Sequence, residues 1–170
     1  MRLLLLRHAK ADSNQPGKPD FERRLNERGN RAAPAIGRHL QSHGLVPKQI
    51  LCSSARRTRE TLAHILPLLA TNPAVSFSDT IYDADADQLL KIIQQHGGRD
   101  SPMLIVGHNP TIQDLALDLA GSGAVRLIDQ IRKKYPTAAL AVLDAVIDNW
   151  ADLAGGSAKL VTFVCPRELE

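Results

Sequence analysis

Two apolar runs about a hundred residues apart each end in a histidine: Leu3-Leu4-Leu5-Leu6 leads into Arg7-His8, and Met103-Leu104-Ile105-Val106 leads into Gly107-His108. Short continuous runs of branched apolar residues read as strands buried on both faces, the condition of strands in a parallel sheet. Both histidines then emerge at carboxyl ends. The ligand site of an open α/β sheet lies outside those ends, so the two distant residues converge on one pocket. A third run, Ile50-Leu51-Cys52, leads into Ser53-Ser54-Ala55-Arg56-Arg57-Thr58-Arg59 and brings cations to the same rim. Two histidines and several arginines at one sheet edge point to phosphate chemistry.

Between these runs the spacing turns helical. The polar stretch Asp12 to Arg28, with Pro16, Gly17 and Pro19, reads as a loop bordering the site. Gly29 to His43 carries Ala32, Ile36 and Leu40 as a helix stripe, and Pro34 suggests that the regular helix begins only near that proline. Thr58 to Leu69 repeats the stripe and kinks or stops at Pro67. Ala74 to Phe77 reads as a strand, and Asp87 to His96 as a helix ended by Gly97-Gly98. Asn109 is placed to cap a helix with Pro110 in its first position, running to Gly121. Val125 to Lys133 is a further helix. Ala138 to Val146 and Lys159 to Val164 are β-like and read as hairpin-related edge strands. The alternation of strands and helices predicts a three-layer α/β/α fold with a mostly parallel central sheet, as one domain over residues 1–170.

With 44% hydrophobic and 23% charged residues, the chain has the composition of an ordinary globular protein. Cys52 and Cys165 match no metal or redox spacing and read as free thiols in a reducing compartment. The leucine run at the start is too short for a signal peptide or a membrane span, so a cytoplasmic protein is expected, with no membrane partner. A net charge of +3 suits an anionic ligand. Aromatics are only 4% of the chain, too few for the stacking platforms of single-stranded nucleic acid binding, so no nucleic acid partner is expected.

Several cofactor patterns fail. His39 and His43 have zinc-protease spacing, but Leu40 stands where the glutamate belongs. Asp83, Asp85 and Asp87 alternate like a calcium loop, yet Gln88 and Gln94 occupy the positions that need Gly and Glu. No phosphate-binding P-loop is present, and Arg126 replaces the third glycine of a dinucleotide fingerprint. No metal or cofactor is expected. Taken singly, a histidine at a strand end is more often structural than catalytic. Arg7 shifts that balance, since a guanidinium beside a buried run is costly unless it meets an anion.

These residues fall into a known pattern. Leu6-Arg7-His8-Ala9-Lys10 matches the R-H-G/A signature of the histidine phosphatase superfamily, the phosphoglycerate-mutase-like fold. Asp20-Phe21-Glu22-Arg23-Arg24-Leu25-Asn26-Glu27-Arg28-Gly29 resembles its D-x-x-R-P-L-T-x-x-G segment. Ser53 to Thr61 resembles S-P-x-x-R-T-x-x-T and singles out Arg57 among the three arginines. Val106-Gly107-His108-Asn109-Pro110 and Tyr135-Pro136-Thr137-Ala138-Ala139-Leu140 resemble the short bacterial protein phosphohistidine phosphatase type. The chain departs from the pattern at Arg24, Asn26, Ser54 and Asp83, the last standing where relatives often carry Glu.

The resemblance implies a metal-independent phosphatase. His8 would attack phosphorus and form a phosphohistidine, with Arg7, Arg57 and His108, and Arg23 as a fourth, supplying positive charge to the phosphoryl oxygens. Asp83 is the candidate general acid, although a helix cap explains an acidic residue there equally well. Only about twenty residues separate Tyr82 from the next strand, too few for a lid over the site, which favours hydrolysis over mutase chemistry and admits a phosphorylated protein. The alternatives are a phosphatase of small phosphorylated metabolites, such as sugar or nucleotide phosphates, and a phosphate-binding module without turnover. The oligomeric state is left open.

Overall fold

The computed structural model describes residues 1–13, 16, 17 and 19–169. Its centre is β1 (Arg2–Arg7), whose four leucines are buried on both faces in alternation. Leu3 and Leu5 join one apolar cluster, Leu4 and Leu6 the other. Each fully buried leucine contributes on the order of 2 kcal/mol of transfer free energy. This alternation is why the run is continuous rather than interrupted by polar residues.

From β1 the chain reaches α1 (Glu27–Ser42), then β2 (Gln49–Ser53), α2 (Arg56–Ile65), β3 (Ala74–Ser78), the single turn α3 (Thr80–Asp83), α4 (Ala86–His96) and β4 (Met103–Gly107). It continues through α5 (Thr111–Leu119), β5 (Ala120–Gly123), α6 (Val125–Lys133), β6 (Leu140–Ala145) and β7 (Ala158–Val164). The seven strands form one sheet in the order β3-β2-β4-β1-β6-β7-β5. Only β6 runs against its neighbours. Helices α1 and α2 supply Ala32, Ile36, Leu40, Leu62 and Ile65 to one face. Residues of α3 to α6, among them Ile81, Ile93, Leu115 and Ile131, cover the other. This is the expected three-layer α/β/α arrangement. Among the described residues no helix is long and apolar enough to cross a membrane.

Local expectations needed correction in five places. Helix α1 begins at Glu27, well before Pro34, because the Asn26 side chain accepts from the Gly29 backbone N–H and caps the first turn. The bond that Pro34 cannot donate is outweighed by the buried Ala32, Ala33, Ile36 and Leu40 around it. Asn109 does not cap α5, and Pro110 is not its first residue: the helix begins at Thr111 with Pro110 in the cap position, and the Asn109 amide donates to Gln113 Oε1 and to the Tyr135 carbonyl instead. Helix α5 stops at Leu119, and Ala120–Gly123 pairs as a strand. A Cβ on Gly121 would lie 1.9 Å from the Gly156 carbonyl oxygen, so this strand needs its glycine for close approach. The last two strands pair with each other as expected but are not edges, since β6 lies against β1 and β5 closes the far side of β7.

The stretch Asp12 to Arg28 is only partly a loop. Asp20–Glu22 makes a 3-10 turn, and Ala11 and Leu25 form an isolated antiparallel bridge. Asn14, Gln15 and Lys18, also in that stretch, lie outside the described residues. A Cβ on Gly29 would sit 2.1 Å from the Lys10 carbonyl oxygen, so glycine there lets α1 start directly beneath the segment that follows His8.

Candidate active site

Parallel pairing of β1 with β4 in the register Leu6↔Val106 and Arg7↔Gly107 puts His8 and His108 side by side past the strand ends. Their ring centroids are 5.2 Å apart. The His8 backbone N–H donates to the Gly107 carbonyl at 3.0 Å, closing the two chain ends together. From the other side Ala138, held at φ 59°, donates its N–H to both the Arg7 and His8 carbonyls. A non-glycine residue at such a φ costs free energy, and here it fixes the two residues at the site.

One cavity of about 170 Å³ collects Arg7, His8, Arg23, Arg57 and His108, together with Lys10, Asn109 and Thr137. Arg57, only 5% exposed, comes from the first turn of α2. Its Nε donates to His8 Nε2 at 3.3 Å, Nη1 to the Asp20 carbonyl at 2.8 Å and Nη2 to the Asp20 carboxylate at 3.0 Å. The same carboxylate accepts from Arg23 Nε at 2.7 Å and from the Tyr82 hydroxyl at 2.7 Å. Arg7 Nη1 donates to the Tyr135 carbonyl, leaving its buried Nε without a partner. His108 Nδ1 and Asn109 Oδ1 are likewise buried and unpartnered. Buried polar atoms are normally satisfied, and three of the unpartnered ones belong to residues that line this one cavity.

The charge states follow from burial. Desolvation above all, with the neighbouring His108, Arg57 and Arg7, brings the His8 pKa down to about 3 against the raising effect of the Ala9 carbonyl. His8 is therefore neutral at pH 7. Its Nδ1 lies 2.7 Å from the Ala9 carbonyl oxygen, an acceptor only, so the proton resides on Nδ1 and Nε2 carries the lone pair. His108 is pushed to about 3 by burial and by Arg57. Its Nε2 meets the Ser53 hydroxyl at 2.8 Å. Burial also lowers the Arg7 pKa, as does Arg57. At Asp20 burial opposes the charge, but the Tyr82 hydroxyl and the Arg57 and Arg23 guanidiniums outweigh it and hold the carboxyl below its ordinary range.

Thus five of the six site residues expected from sequence share one cavity, and Asp83 does not. Asp83 is exposed, ends α3 and is absent from the cavity lining. The acidic cap near it is Asp85, whose side chain accepts from the Gln88 N–H in a capping box at the start of α4. Arg56 and Arg59 are exposed, and Arg56 pairs with Glu60 on its own helix. Asp20 was visible in sequence only as the first letter of its segment. Its position between two arginines and a tyrosine was not.

The sequence profile of the histidine phosphatase superfamily (branch 1) matches residues 3–78. An uncharacterised protein of Mycobacterium leprae (strain TN) is 38% identical over 95% of this chain and 100% of its own. Among solved structures, a candidate SixA phosphohistidine phosphatase from Nakamurella multipartitia is similar with TM-score 0.84 and 31% identity, covering 97% of this chain and 95% of that one. Another, from Agrobacterium tumefaciens, has TM-score 0.81 and 30% identity, covering 97% and 98%. With the paired histidines, the buried arginine and this likeness along nearly the whole chain, the protein belongs to the histidine phosphatase superfamily.

Proposed function

We propose that this phosphatase hydrolyses phosphohistidine on proteins, without a metal, through a phosphohistidine formed on its own His8. The observation that carries the reading is the tautomer of His8: Nδ1–H is held by the Ala9 carbonyl, so an uncharged Nε2 with its lone pair faces a cavity lined by three arginines. In the first step Nε2 bonds to phosphorus as the bond to the substrate's imidazole nitrogen breaks, and that ring, protonated on its other nitrogen, leaves as neutral imidazole. In the second, water attacks the phosphoryl group, inorganic phosphate leaves and neutral His8 is restored. Arg7, Arg23 and Arg57 would stabilise the charge on the equatorial oxygens.

The choice of phosphohistidine over an alkyl phosphate rests on the missing acid. No carboxyl group lines the cavity among the described residues, and Asp20, the carboxylate nearest to it in the hydrogen-bond network, is kept ionised by the Tyr82 hydroxyl and its arginines. An alkoxide leaving group needs a proton in the transition state. Imidazole leaves as its neutral ring once the other ring nitrogen of the phosphohistidine carries a proton, and with a conjugate acid of pKa about 6.5 it takes that proton from solvent near neutral pH rather than from an acid in the cavity. The two similar structures described as candidate phosphohistidine phosphatases support the same substrate class.

Acid-labile, base-stable label should be trapped on His8 when the enzyme is quenched during turnover of a labelled phosphohistidine peptide. Activity should survive EDTA and be blocked by vanadate. Label on Ser53, Ser54 or a cysteine, or faster turnover of sugar phosphates than of phosphohistidine, would overturn the reading.

A further inference from the structure

Beside the catalytic cavity runs a larger groove of about 480 Å³, and Arg7, Lys10 and Thr137 line both. Its remaining walls bring together three segments remote in sequence. Arg28 comes from the first turn of α1, Lys134 from the residue after α6, and Arg167 from the 3-10 turn Pro166–Glu168. Five cations thus surround one groove, more than the whole chain's surplus of three, and among the described residues no carboxylate lines it. Of the 21 Lys and Arg, six, Arg2, Arg23, Arg24, Arg56, Arg57 and Arg132, sit against an Asp or Glu among the described residues. None of the five groove cations has such an ion pair among the described residues. Gathering unpaired like charges is unfavourable unless an anion joins them.

We propose that this groove takes an acidic segment of the phosphorylated protein, with carboxylates flanking the phosphohistidine that enters the cavity. The inference rests on the phosphatase reading above and names which phosphoproteins the site would favour. The groove's own features select the occupant. Lys10, Arg28, Lys134 and Arg167 are exposed on long stems spread along an open groove, an arrangement suited to several separate carboxylates. A single compact second phosphate calls instead for a planar, desolvated fork of the kind Arg57 provides in the cavity. Among the described residues no aromatic side chain lines the groove, so it lacks a platform for nucleic acid bases.

The test compares the full-length wild type with the Arg28→Gln/Lys134→Gln/Arg167→Gln variant; none of these three residues lines the catalytic cavity. Substrates are two phosphohistidine peptides that differ only in Glu or Gln at the flanking positions, with p-nitrophenyl phosphate as the control. Exposed pairs are individually weak, so the three together should give the wild type about a tenfold preference for the Glu peptide, expressed in KM. Raised ionic strength should erase that preference. The triple variant should turn over both peptides alike and leave p-nitrophenyl phosphate unchanged. Equal kcat/KM for the two peptides in the wild type would overturn the proposal, as would an equal loss on p-nitrophenyl phosphate in the variant. So would a bisphosphate or an oligonucleotide competing through these cations where the acidic peptide does not. Calorimetry of the unphosphorylated Glu peptide with His8→Ala reads the groove without turnover. Binding there that depends on the three cations supports the groove even if no phosphatase activity is found, and its absence counts against the groove alone.

Discussion

Arg57 Nε donates to His8 Nε2 across 3.3 Å, placing a buried guanidinium against the nitrogen proposed to attack phosphorus. A bond of that length is weak, whereas Asp20 holds the other two nitrogens of the same guanidinium at 2.8 and 3.0 Å. Asp20, then, is what fixes Arg57. An entering phosphoryl group displaces a weak contact and finds the cation already oriented, so little reorganisation is needed in the transition state.

His8→Ala should abolish turnover while the protein unfolds within about 1 kcal/mol of wild type, the usual scale of one lost buried hydrogen bond. Urea unfolding monitored by circular dichroism, beside a turnover assay, checks both halves. Loss of cooperative unfolding would show that His8 is a packing residue.

Arg57→Ala should lower kcat/KM by on the order of 10²-fold or more, as removal of a preorganised charge donor does. Arg57→Lys should recover little of it, because an ammonium cannot hold Asp20 and a phosphoryl oxygen in one plane. Arg56→Ala and Arg59→Ala, both at exposed positions, should stay within about twofold of wild type. Equal losses at all three positions would make Arg57 an ordinary solvent-facing residue.

Asp20→Ala should also lower kcat/KM by on the order of 10²-fold, since Arg23 and Arg57 lose the group that aligns them. Tyr82→Phe, which removes one of the hydrogen bonds to that carboxylate, should cost only a few-fold. If Tyr82→Phe proves as damaging as Asp20→Ala, the hydroxyl itself takes part in the chemistry.

Asp83→Asn should leave phosphohistidine and alkyl phosphate turnover within about twofold of wild type, below the loss expected of a general acid. Steady-state rates on a phosphohistidine peptide and on an alkyl phosphate decide it. A large loss confined to the alkyl ester would put Asp83 back in the role of acid.

His8 and His108 both have pKa values near 3 in the folded protein against 6.5 for an ordinary imidazole. Below pH 6.5 the unfolded chain therefore binds more protons than the native one. Their contribution to stability is fully present above pH 6.5 and is lost as pH falls toward 3, at up to about 1.4 kcal/mol per pH unit for each histidine. Urea unfolding at pH 6.5, 5.5 and 4.5 should show this slope, and His108→Gln should shallow it. A flat profile would mean that the rings are more solvated than their burial implies.

The strands and both histidines were legible in the sequence because burial on two faces leaves an unbroken apolar run, and the end of that run locates the residue at the sheet's carboxyl edge. Helix stripes were legible for the same reason, since the spacing of apolar residues records which face is covered. The start of α1 was not, because Pro34 is a strong local signal, while the Asn26 cap bond to Gly29 and the burial around Pro34 that offsets it are made only in the folded chain. Asp20 gathers partners 3, 37 and 62 residues away, and nothing in its neighbours in sequence encodes those meetings. Asp83 had the right residue type near the right segment, yet one turn of helix leaves it exposed outside the cavity. The basic groove is likewise the meeting of α1, the end of α6 and the C-terminal turn. Periodicity determined the elements and the residues at their ends. Which polar side chains face one another was decided only by tertiary structure, because those contacts depend on how distant segments are brought together.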